Sequence, residues 1–270
     1  MSASALLPAR TDPRTKLSMS SEVRKEVILE RLDRDQRVSV LELSTEFGVS
    51  GETIRRDLKD LEAEGAVRRV HGGAIPAGRT ADVPITDRIR FNALEKDAVA
   101  QMARNLITDD CAIFLDTGTT TLSLARHLTG FKKLRLYTNS LMIAQAACQH
   151  FGVRVQMTPG NLRPIEQDLV GYDTLSYIQQ FHFDMVFMGA AAIAAEYGFM
   201  DYEEDEARIR QALLKQTARS IMLADHSKCG KTGNVITAAF SSVSTLVTDQ
   251  RPPANILAAA KRGDLEIIHG

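Results

Sequence analysis

The stretch VSGETIRRDL at residues 49–58 sets two adjacent arginines beside an apolar helical stripe. Ile54 and Leu58 are four residues apart and mark the buried side of a helix, whereas Arg55 and Arg56 fall on the exposed side at 100° per residue. Guanidinium groups near the amino end of a helix suit contacts with nucleic-acid phosphates or base edges. The alternative is a solvated face, because three acidic residues of the same helix balance the arginines.

A second chemistry is indicated by polar loops that follow apolar strands. DTGTTT at residues 116–121 combines Gly118, which permits close backbone approach, with threonine hydroxyls and amides that open a helix, and such a loop suits an anion. The alternative is a strand-to-helix turn with a threonine cap. Asn139 and Ser140 open the next helix in the same way and alone indicate an N-cap. Lys228, after the strand SIMLAD, either neutralises a phosphate or is a solvated loop charge.

The composition restricts the class of protein that presents these groups. The chain has 270 residues, 44% of them hydrophobic and 25% charged, which predicts a soluble globular protein of two domains. Its net charge of −1 excludes a bulk polycation, so any nucleic-acid contact must come from a local patch. The three cysteines are far apart and form no CxxC motif, which indicates a reducing cytoplasm with neither a disulfide framework nor a metal site.

The first eighty residues predict a small helical unit with a hairpin. A helix begins at Ser21, Ser39 caps a second helix that ends at Gly48, and Ser50 caps a third. The segment AVRRVHGGAI at residues 66–75 then predicts a basic hairpin that turns at its paired glycines. Three helices followed by such a hairpin form a winged helix-turn-helix. Within the third helix, Asp57 lies near the core flank and is expected to pair with a neighbouring basic side chain.

The remainder of the chain predicts an α/β domain. Residues 76–87 are rich in breakers and form a predicted linker, and residues 88–107 predict one helix with Leu94, Ala98 and Met102 at helical spacing. This helix is expected to begin the second domain and to help it dimerise. Seven apolar runs, separated mostly by helical stretches, then predict a mainly parallel sheet whose ligand site lies at the carboxyl ends of its strands. The runs are CAIFLD, LRLYT, VRVQM, FDMVFMG, SIMLAD, STLVTD and LEIIHG.

The first unit resembles the helix-turn-helix of DeoR-family bacterial transcriptional regulators. The matching residues are Arg24, Ile28, Leu32, Ser50, Thr53, Ile54, Arg55, Arg56, Asp57 and Leu58, followed by HGGA at 71–74. The resemblance implies that the third helix enters the major groove of operator DNA. The residues expected to contact DNA are Ser50, Thr53, Arg55, Arg56, Lys59, Arg68, Arg69 and His71.

The rest of the chain is similar to the sensor domain of the same family, through LDTGTT, TNS, GNLR at 160–163 and ADHSKCG at 224–230, in that order. That domain is related in fold to ribose 5-phosphate isomerase. The resemblance implies a phosphorylated sugar or polyol as the effector, bound without turnover. The residues implied to surround it are Asp116, Gly118, Thr119, Thr120, Asn139, Ser140, Arg163 and Lys228.

One departure from the family pattern bears on the choice between a regulator and an enzyme. Where relatives and isomerases often have an acidic residue after Gly-Ala, this chain reads GAAAIAAE, with Ala191 and Ala194 in the predicted strand-end loop. An isomerase needs a base to move a proton between carbons. The leading hypothesis is therefore a repressor, and the alternative is a sugar-phosphate isomerase with an accessory nucleic-acid module. Glu206 is a candidate replacement for the missing acid.

These inferences predict a cytoplasmic homo-oligomer, a dimer or tetramer, with no catalytic residues, metal or cofactor. The predicted domains are a disordered arm at residues 1–19, the winged helix-turn-helix domain at 20–75, the linker at 76–87, and the sensing and oligomerisation domain at 88–270.

Overall fold

The computed structural model describes residues 19–35, 38–64, 66–70, 72–76 and 84–270. Nearly all of the predicted arm and most of the predicted linker lie outside these residues. The chain divides into two compact units, one that ends at Arg79 and one that begins at Thr80.

The first unit forms the helices and hairpin that its caps predict. The hydroxyl of Ser39 accepts a hydrogen bond from the Leu41 amide at 3.2 Å, and the hydroxyl of Ser50 accepts one from the Thr53 amide at 3.1 Å. Gly48 ends the second helix in the left-handed region, with φ of 65°. The elements are α1 (Ser21–Asp35), β1 (Val38–Ser39), α2 (Val40–Phe47), α3 (Gly51–Ala63), β2 (Val67–Val70) and β3 (Gly73–Pro76).

A single apolar core holds the helices of the first unit together. Ile54, Leu58 and Leu61 of α3 pack against Ile28 of α1 and Leu43 of α2, and all five are buried. The strands form an antiparallel sheet of order β1-β3-β2. At Gly73 a side chain would meet the Val38 carbonyl oxygen at 1.9 Å, so only glycine lets β3 approach β1 this closely. The predicted winged helix-turn-helix is confirmed.

The second unit is an α/β domain. Its helices are α4 (Ile85–Arg88), α5 (Ala93–Arg104), α6 (Thr119–Arg126), α7 (Leu141–Ala147), α8 (Tyr172–Ile178), α9 (Glu204–Lys215) and α10 (Ala254–Arg262). Its strands are β4 (Ala112–Leu115), β5 (Leu134–Thr138), β6 (Val153–Met157), β7 (Asn161–Arg163), β8 (Asp168–Val170), β9 (Phe183–Gly189), β10 (Ala192–Ala194), β11 (Gly198–Asp201), β12 (Thr217–Leu223), β13 (Val235–Ala238), β14 (Thr245–Thr248) and β15 (Glu266–His269).

Seven strands form a wholly parallel sheet of order β15-β14-β12-β9-β4-β5-β6. These are the seven strands that the apolar runs predict, so the mainly parallel α/β prediction is confirmed. The chain builds outward from β4 to β6 in one direction and from β9 to β15 in the other. The strand order therefore reverses between β4 and β9, where a crevice opens at the carboxyl ends of the strands.

Side chains alternate between two apolar cores, one on each face of this sheet. Ile113 and Leu115 of β4 pack into the core that includes residues of α5, α6 and α7. Phe114, between them, packs into the opposite core with residues of α8, α9 and α10. Burial on both faces explains why these strands read as continuous apolar runs.

The structure corrects the prediction of one helix over residues 88–107. The chain forms α4, then a turn in which Asn92 adopts a left-handed conformation with φ of 49°, then α5. The buried side of α5 is formed by Lys96, Val99, Ala100 and Ala103, whereas Leu94 is 83% exposed. The small side chains of Ala100 and Ala103 let α5 pack closely against α6 and the sheet. The face of α5 that carries Leu94 does not make this contact. The dimerising role of this segment stays a prediction.

Two small antiparallel sheets, β7-β8 and β10-β11-β13, add to the main sheet and were not predicted. They reach the carboxyl edge: Ser140, two residues after the end of β5, bridges to Asp168 of β8, and β11 ends at Asp201. These sheets bring additional charged side chains to the crevice.

Candidate functional site

A pocket lies at the carboxyl edge of the seven-stranded sheet, where the strand order reverses. Its walls come from the segments after β4, β9, β11 and β12, together with α4, α5 and α9. Four basic and four acidic side chains lie among its lining residues, so it suits a ligand that is both charged and rich in hydrogen-bonding groups. The lining residues are Arg88, Lys96, Thr117, Gly118, Thr119, Thr120, Glu166, Gly189, Ala190, Ala191, Asp201, Tyr202, Glu203, Glu206, Arg210, Leu223, Ala224 and Lys228.

The loop between β4 and α6 presents the amino end of α6 to this pocket. Gly118 precedes the helix with φ of 153°, and the amide of Thr117 donates to Asn139 Oδ1 at 3.1 Å, which fixes the loop against the end of β5. The Thr117 hydroxyl is buried and has no hydrogen-bond partner within the described part of the chain. A helix amino end with an unsatisfied buried hydroxyl beside it is suited to an anionic or hydroxyl-bearing group.

Arg210 of α9 organises the acidic side of the pocket. Its guanidinium donates to Asp116 Oδ2 at 2.6 Å, forms an ion pair with Asp201, and lies 3.4 Å from Glu206 Oε2. Although burial alone lowers the pKa of Arg210, Asp201 and Asp116 raise it well above its ordinary value. Burial raises the pKa of Asp116 to about 6 despite the arginine. One cation thus joins the ends of β4 and β11 to α9.

Arg163 holds a neighbouring pair of carboxylates. Its Nε and Nη2 atoms donate to the two oxygens of Asp168 at 2.9 and 2.7 Å, and Nη2 also donates to Glu206 Oε1 at 3.1 Å. Burial lowers the pKa of Arg163, but Asp168 and Glu206 outweigh it and the pKa is raised. Glu206 is therefore shared between Arg163 and Arg210, which ties the β7-β8 hairpin to α9.

Lys96 and Lys228 form the basic side of the pocket. Lys96 is 6% exposed, and its ammonium donates to the carbonyl oxygens of Arg88 at 2.8 Å and Phe91 at 2.5 Å. Burial, together with the nearby charge of Lys228, lowers the pKa of Lys96 to about 8. Burial raises the pKa of Asp225, but Lys228 and other neighbours outweigh it and hold that pKa below its ordinary value.

Arg88 and Glu166 form an ion pair between these two sides. Burial raises the pKa of Glu166 to about 7, although the Arg88 charge opposes the shift. A carboxyl group that titrates near neutral pH inside a pocket is the kind of group that general acid–base catalysis uses.

The predicted effector residues fall into two layers. Gly118, Thr119, Thr120 and Lys228 line the pocket. The other four lie outside the lining and support it. Asp116 holds Arg210, Asn139 holds the Thr117 amide, Ser140 caps α7 by accepting from the Ile143 amide at 3.4 Å, and Arg163 holds Glu206.

Several lining residues are not predicted from the sequence, although the sequence carries a signal for two of them. Lys96 occupies a buried position on the same helix face as Val99, Ala100 and Ala103. A lysine is rarely buried without a partner for its charge, so its place on this face is a signal. Arg210 lies four residues after Glu206 on α9, a spacing that places the two side chains together. Arg88, Glu166 and Asp201 have no such signal, because their neighbours in space are distant in sequence.

The exposed face of α3 is the candidate nucleic-acid interface of the first unit. Arg55, Arg56 and Lys59 are exposed there, and Arg55 pairs with Glu52 at 3.3 Å. The Thr53 hydroxyl lies 2.9 Å from that of its cap, Ser50. These side chains lie opposite the buried stripe, as the sequence predicts.

The Asp57 carboxylate is part of the framework behind this face. It accepts from Arg24 Nε at 2.7 Å and from the Ser21 hydroxyl at 2.7 Å, so the predicted pairing with a basic residue is confirmed. In the wing, Arg69 pairs with Glu62 of α3 at 2.6 Å. The side chain of Arg68 and the whole of His71 lie outside the described residues.

The described residues show neither a metal-binding cluster nor a membrane-spanning helix. They contain no group of three or more histidine, cysteine or acidic side chains placed to hold a metal ion. No helix among them has both the length and the apolar character needed to cross a bilayer.

A winged helix-turn-helix followed by an α/β domain with a charged pocket defines a DNA-binding regulator with a separate sensing domain. Residues 24–79 match the family described as DeoR-like helix-turn-helix domain, and residues 91–250 match the DeoR C terminal sensor domain. The chain belongs to the DeoR family of transcriptional regulators, and the resemblance found in the sequence is confirmed.

Curated relatives match over most of their length. One is the putative aga operon transcriptional repressor of Escherichia coli O157:H7, 33% identical over 91% of this chain and 92% of the relative. Another is the glycerol-3-phosphate regulon repressor of Haemophilus influenzae, 32% identical over 87% of this chain and 91% of the relative.

Solved structures match at lower identity. Ribose 5-phosphate isomerase A of Methanocaldococcus jannaschii is 17% identical, with a TM-score of 0.37 over 51% of this chain and 55% of its own. The eIF2B beta subunit of Chaetomium thermophilum is 11% identical, with a TM-score of 0.46 over 93% of this chain and 94% of its own.

Proposed function

We propose that this protein is a transcriptional repressor of a sugar or polyol catabolic operon, controlled by a phosphorylated sugar or polyol bound in the pocket. The observation that carries the proposal is the combination, in one pocket, of a basic side with an acidic side. The relatives named above as repressors of the aga operon and of a glycerol-3-phosphate regulon support the same role here.

The basic side of the pocket suits a phosphate dianion. Lys96 and Lys228 lower the free energy of an anion there, and the amino end of α6 at Gly118, Thr119 and Thr120 supplies amides and hydroxyls. An uncharged sugar would gain little from two ammonium groups. We assign the phosphate to this side.

The acidic side suits the hydroxyl groups of a sugar or polyol. Glu203 and Glu206 line it, and carboxylates accept hydrogen bonds from hydroxyl donors. Thr117 also lines the pocket, and its buried hydroxyl, which has no hydrogen-bond partner among the described residues, can donate to the ligand. Asp116 and Arg163 position this side through their contacts with Arg210 and Glu206. Asn139 positions the loop through the Thr117 amide, and Ser140 caps the start of α7.

The DNA-binding unit reads the operator through α3. Ser50, Thr53, Arg55, Arg56 and Lys59 lie on or beside its exposed face, and the wing contributes Arg69 together with Arg68 and His71. We expect the regulator to act as a dimer or tetramer in the cytoplasm, where its operator lies.

We infer that the pocket binds its ligand without turnover. Ala191 lies in the lining after β9 in place of an acid, and the carboxylates of Asp201, Glu206 and Glu166 are all held by arginines. One feature favours the isomerase alternative, namely the position of Glu166 in the pocket lining, where burial raises its pKa to about 7. Enzyme-like turnover of ribose 5-phosphate, lost in Glu166→Gln, would establish that alternative and refute the repressor-only proposal.

The ligand class is tested by thermal shift and by operator affinity. The full chain is melted with glycerol 3-phosphate, ribose 5-phosphate and hexose 6-phosphates, each beside its unphosphorylated parent. We expect a phosphorylated compound alone to raise Tm and to weaken binding to the promoter DNA of the neighbouring operon.

The matched variants are Lys228→Met and Lys133→Met. Lys228→Met removes a charge from the pocket and should lower the affinity for the ligand by about ten- to a hundredfold, the range expected for loss of a hydrogen bond to a charged group. Lys133→Met changes an exposed lysine just before β5, at the amino edge of the sheet, and should leave affinity unchanged. A neutral sugar that binds tightly and releases DNA would refute the phosphate assignment.

A further inference from the structure

Residues 84–92, here called the entry segment, are held to the second unit at four points. The Ile85 amide donates to the Ile165 carbonyl at 3.1 Å, and Arg88 forms its ion pair with Glu166. Lys96 donates to the carbonyls of Arg88 and Phe91. Asn92 Nδ2 donates to Asp225 Oδ1 and to the Ser227 hydroxyl, both at 3.1 Å.

Three of these four anchors lead directly to the pocket. Arg88, Glu166 and Lys96 are lining residues, and Asp225 and Ser227 belong to the loop that presents the lining residue Lys228. The fourth anchor, at Ile165, adjoins Glu166 in the chain. Arg88 of the entry segment therefore lines the pocket, and two of the groups that fasten the segment, Lys96 and Glu166, line it as well.

The same segment is where the chain enters the second unit. It follows residues 77–83, which continue in sequence from the wing strand β3. A change in the position of the entry segment moves the point at which the chain from the DNA-binding unit joins the second unit.

We propose that the entry segment couples ligand binding to DNA binding: the phosphate draws Lys96 and Arg88 away from their present partners, and the entry segment then changes its position. This inference rests on the proposed function and names its route of regulation. The Lys96 ammonium now donates to two neutral carbonyls and gains more from a dianion, because the coulombic attraction between opposite charges adds to the hydrogen bond. The differential contact between the two states is what an allosteric ligand requires.

The electrostatics of the anchors agree with such an exchange. Burial lowers the pKa of Lys96 to about 8 and raises that of Glu166 to about 7, so both charges are held against a desolvation penalty. An anion that approaches Lys96 relieves the penalty on the ammonium, whereas Glu166 is like-charged and is disfavoured beside it. The Arg88–Glu166 pair is accordingly the anchor that an incoming phosphate weakens most.

The test uses Asn92→Gly in the full chain. Asn92 has φ of 49°, a conformation that glycine adopts without strain, and it lies outside the pocket lining. The substitution removes one anchor of the segment and leaves the ligand-contacting groups intact. The matched control is Asp264→Gly, at an exposed residue with φ of 57° in the turn before β15.

The ligand of the panel that gives the largest Tm shift with the wild type is used, and operator Kd is measured with and without it. In Asn92→Gly we expect the apparent ligand affinity, derived from the Tm shift, to stay within a factor of two of the wild-type value. The ligand-induced change in operator Kd should fall at least fivefold. Asp264→Gly should behave as the wild type does. An unchanged operator response in Asn92→Gly, or a loss of ligand affinity in step with the response, overturns the proposal.

A second measurement covers the case in which Asn92→Gly is poorly folded. Hydrogen exchange of the wild type should become faster in the entry segment and slower in the loop at residues 116–120 when the ligand binds. Protection of both regions overturns the proposal. A wild type that gives neither a Tm shift nor an operator response overturns the proposed function, and this inference with it.

Discussion

Lys96 is a cation held in a place that disfavours its charge. Its folded-state pKa of about 8 lies below the ordinary value of 10.5, mainly because of burial. Between these two values the unfolded chain binds a proton that the folded chain does not. The contribution of Lys96 to the free energy of unfolding therefore rises as pH increases through this window.

We expect Lys96→Met to remove this pH dependence. The free energy of unfolding of the wild type, measured relative to that of the variant, should rise between pH 8 and pH 10.5 by up to about 3 kcal/mol. Denaturant titrations of both proteins at several pH values measure the difference, and titrations common to both proteins cancel. Parallel curves across this range would show that Lys96 is not held as the structure indicates.

Arg56 on α3 is a second charged residue, and we expect its guanidinium to contact operator DNA. Arg56→Ala should weaken operator binding by about 1 to 3 kcal/mol if a base contact is lost, and should lower the salt slope by about one if a phosphate contact is lost. Arg154→Ala, at an exposed arginine of β6 in the second unit, is the control and should change neither. Normal circular dichroism with unchanged affinity and salt dependence would identify Arg56 as a solvated side chain.

Some residues of the pocket are predictable from the sequence and others are not, for a physical reason. Gly118 and Thr119 belong to a local pattern, a strand end that opens a helix, and such a pattern is readable from adjacent residues. Arg210 acquires its role only when β4 and β11 bring Asp116 and Asp201 beside it. Sequence spacing carries no information about partners that only the folded chain assembles.

The position of α3 depends on a buried ion pair. Arg24 of α1 and Asp57 of α3 are 8% and 2% exposed, and their Nε–Oδ2 distance is 2.7 Å. Both face into the unit, so the pair fixes the crossing of the two helices instead of contacting solvent. Removal of one partner leaves the other charge buried without compensation.

Asp57→Ala should therefore destabilise the first unit by about 3 to 5 kcal/mol. The matched control is Asp60→Ala on the same helix, whose exposed carboxylate pairs with Lys25 at 3.2 Å and should cost less than about 1 kcal/mol. Thermal melts of the full chain followed by circular dichroism distinguish the two. Equal destabilisation by both substitutions would contradict the structural role given to the buried pair.

Elements were predicted well where burial imposes a pattern. The seven parallel strands are buried on both faces, so each reads as an apolar run bounded by turn residues. The hairpin of β7 and β8 was not predicted, since strands of three residues are too short to show periodicity. Its position is set by a tertiary bridge between Ser140 and Asp168, and it carries Arg163 into the ion-pair network.

One winged unit offers one recognition helix. Helix-turn-helix proteins commonly present two such helices to half-sites about 34 Å apart or a multiple of it. We expect light scattering at micromolar concentration to give a dimer or tetramer, and DNase protection to give paired half-sites at that spacing. Specific DNA binding by a species that scatters as a monomer would contradict this expectation.

The pocket joins residues from Arg88 to Lys228, so its walls meet only after most of the second unit has been arranged. Contacts between distant parts of a chain form late in folding, because the entropy of closing large loops must be met first. A ligand that needs all of these walls has little affinity for the folding transition state. We therefore expect the effector to prolong the lifetime of the native protein by slowing unfolding while leaving the refolding rate nearly unchanged. In a cell, such a ligand would also set how long each regulator molecule survives proteolysis.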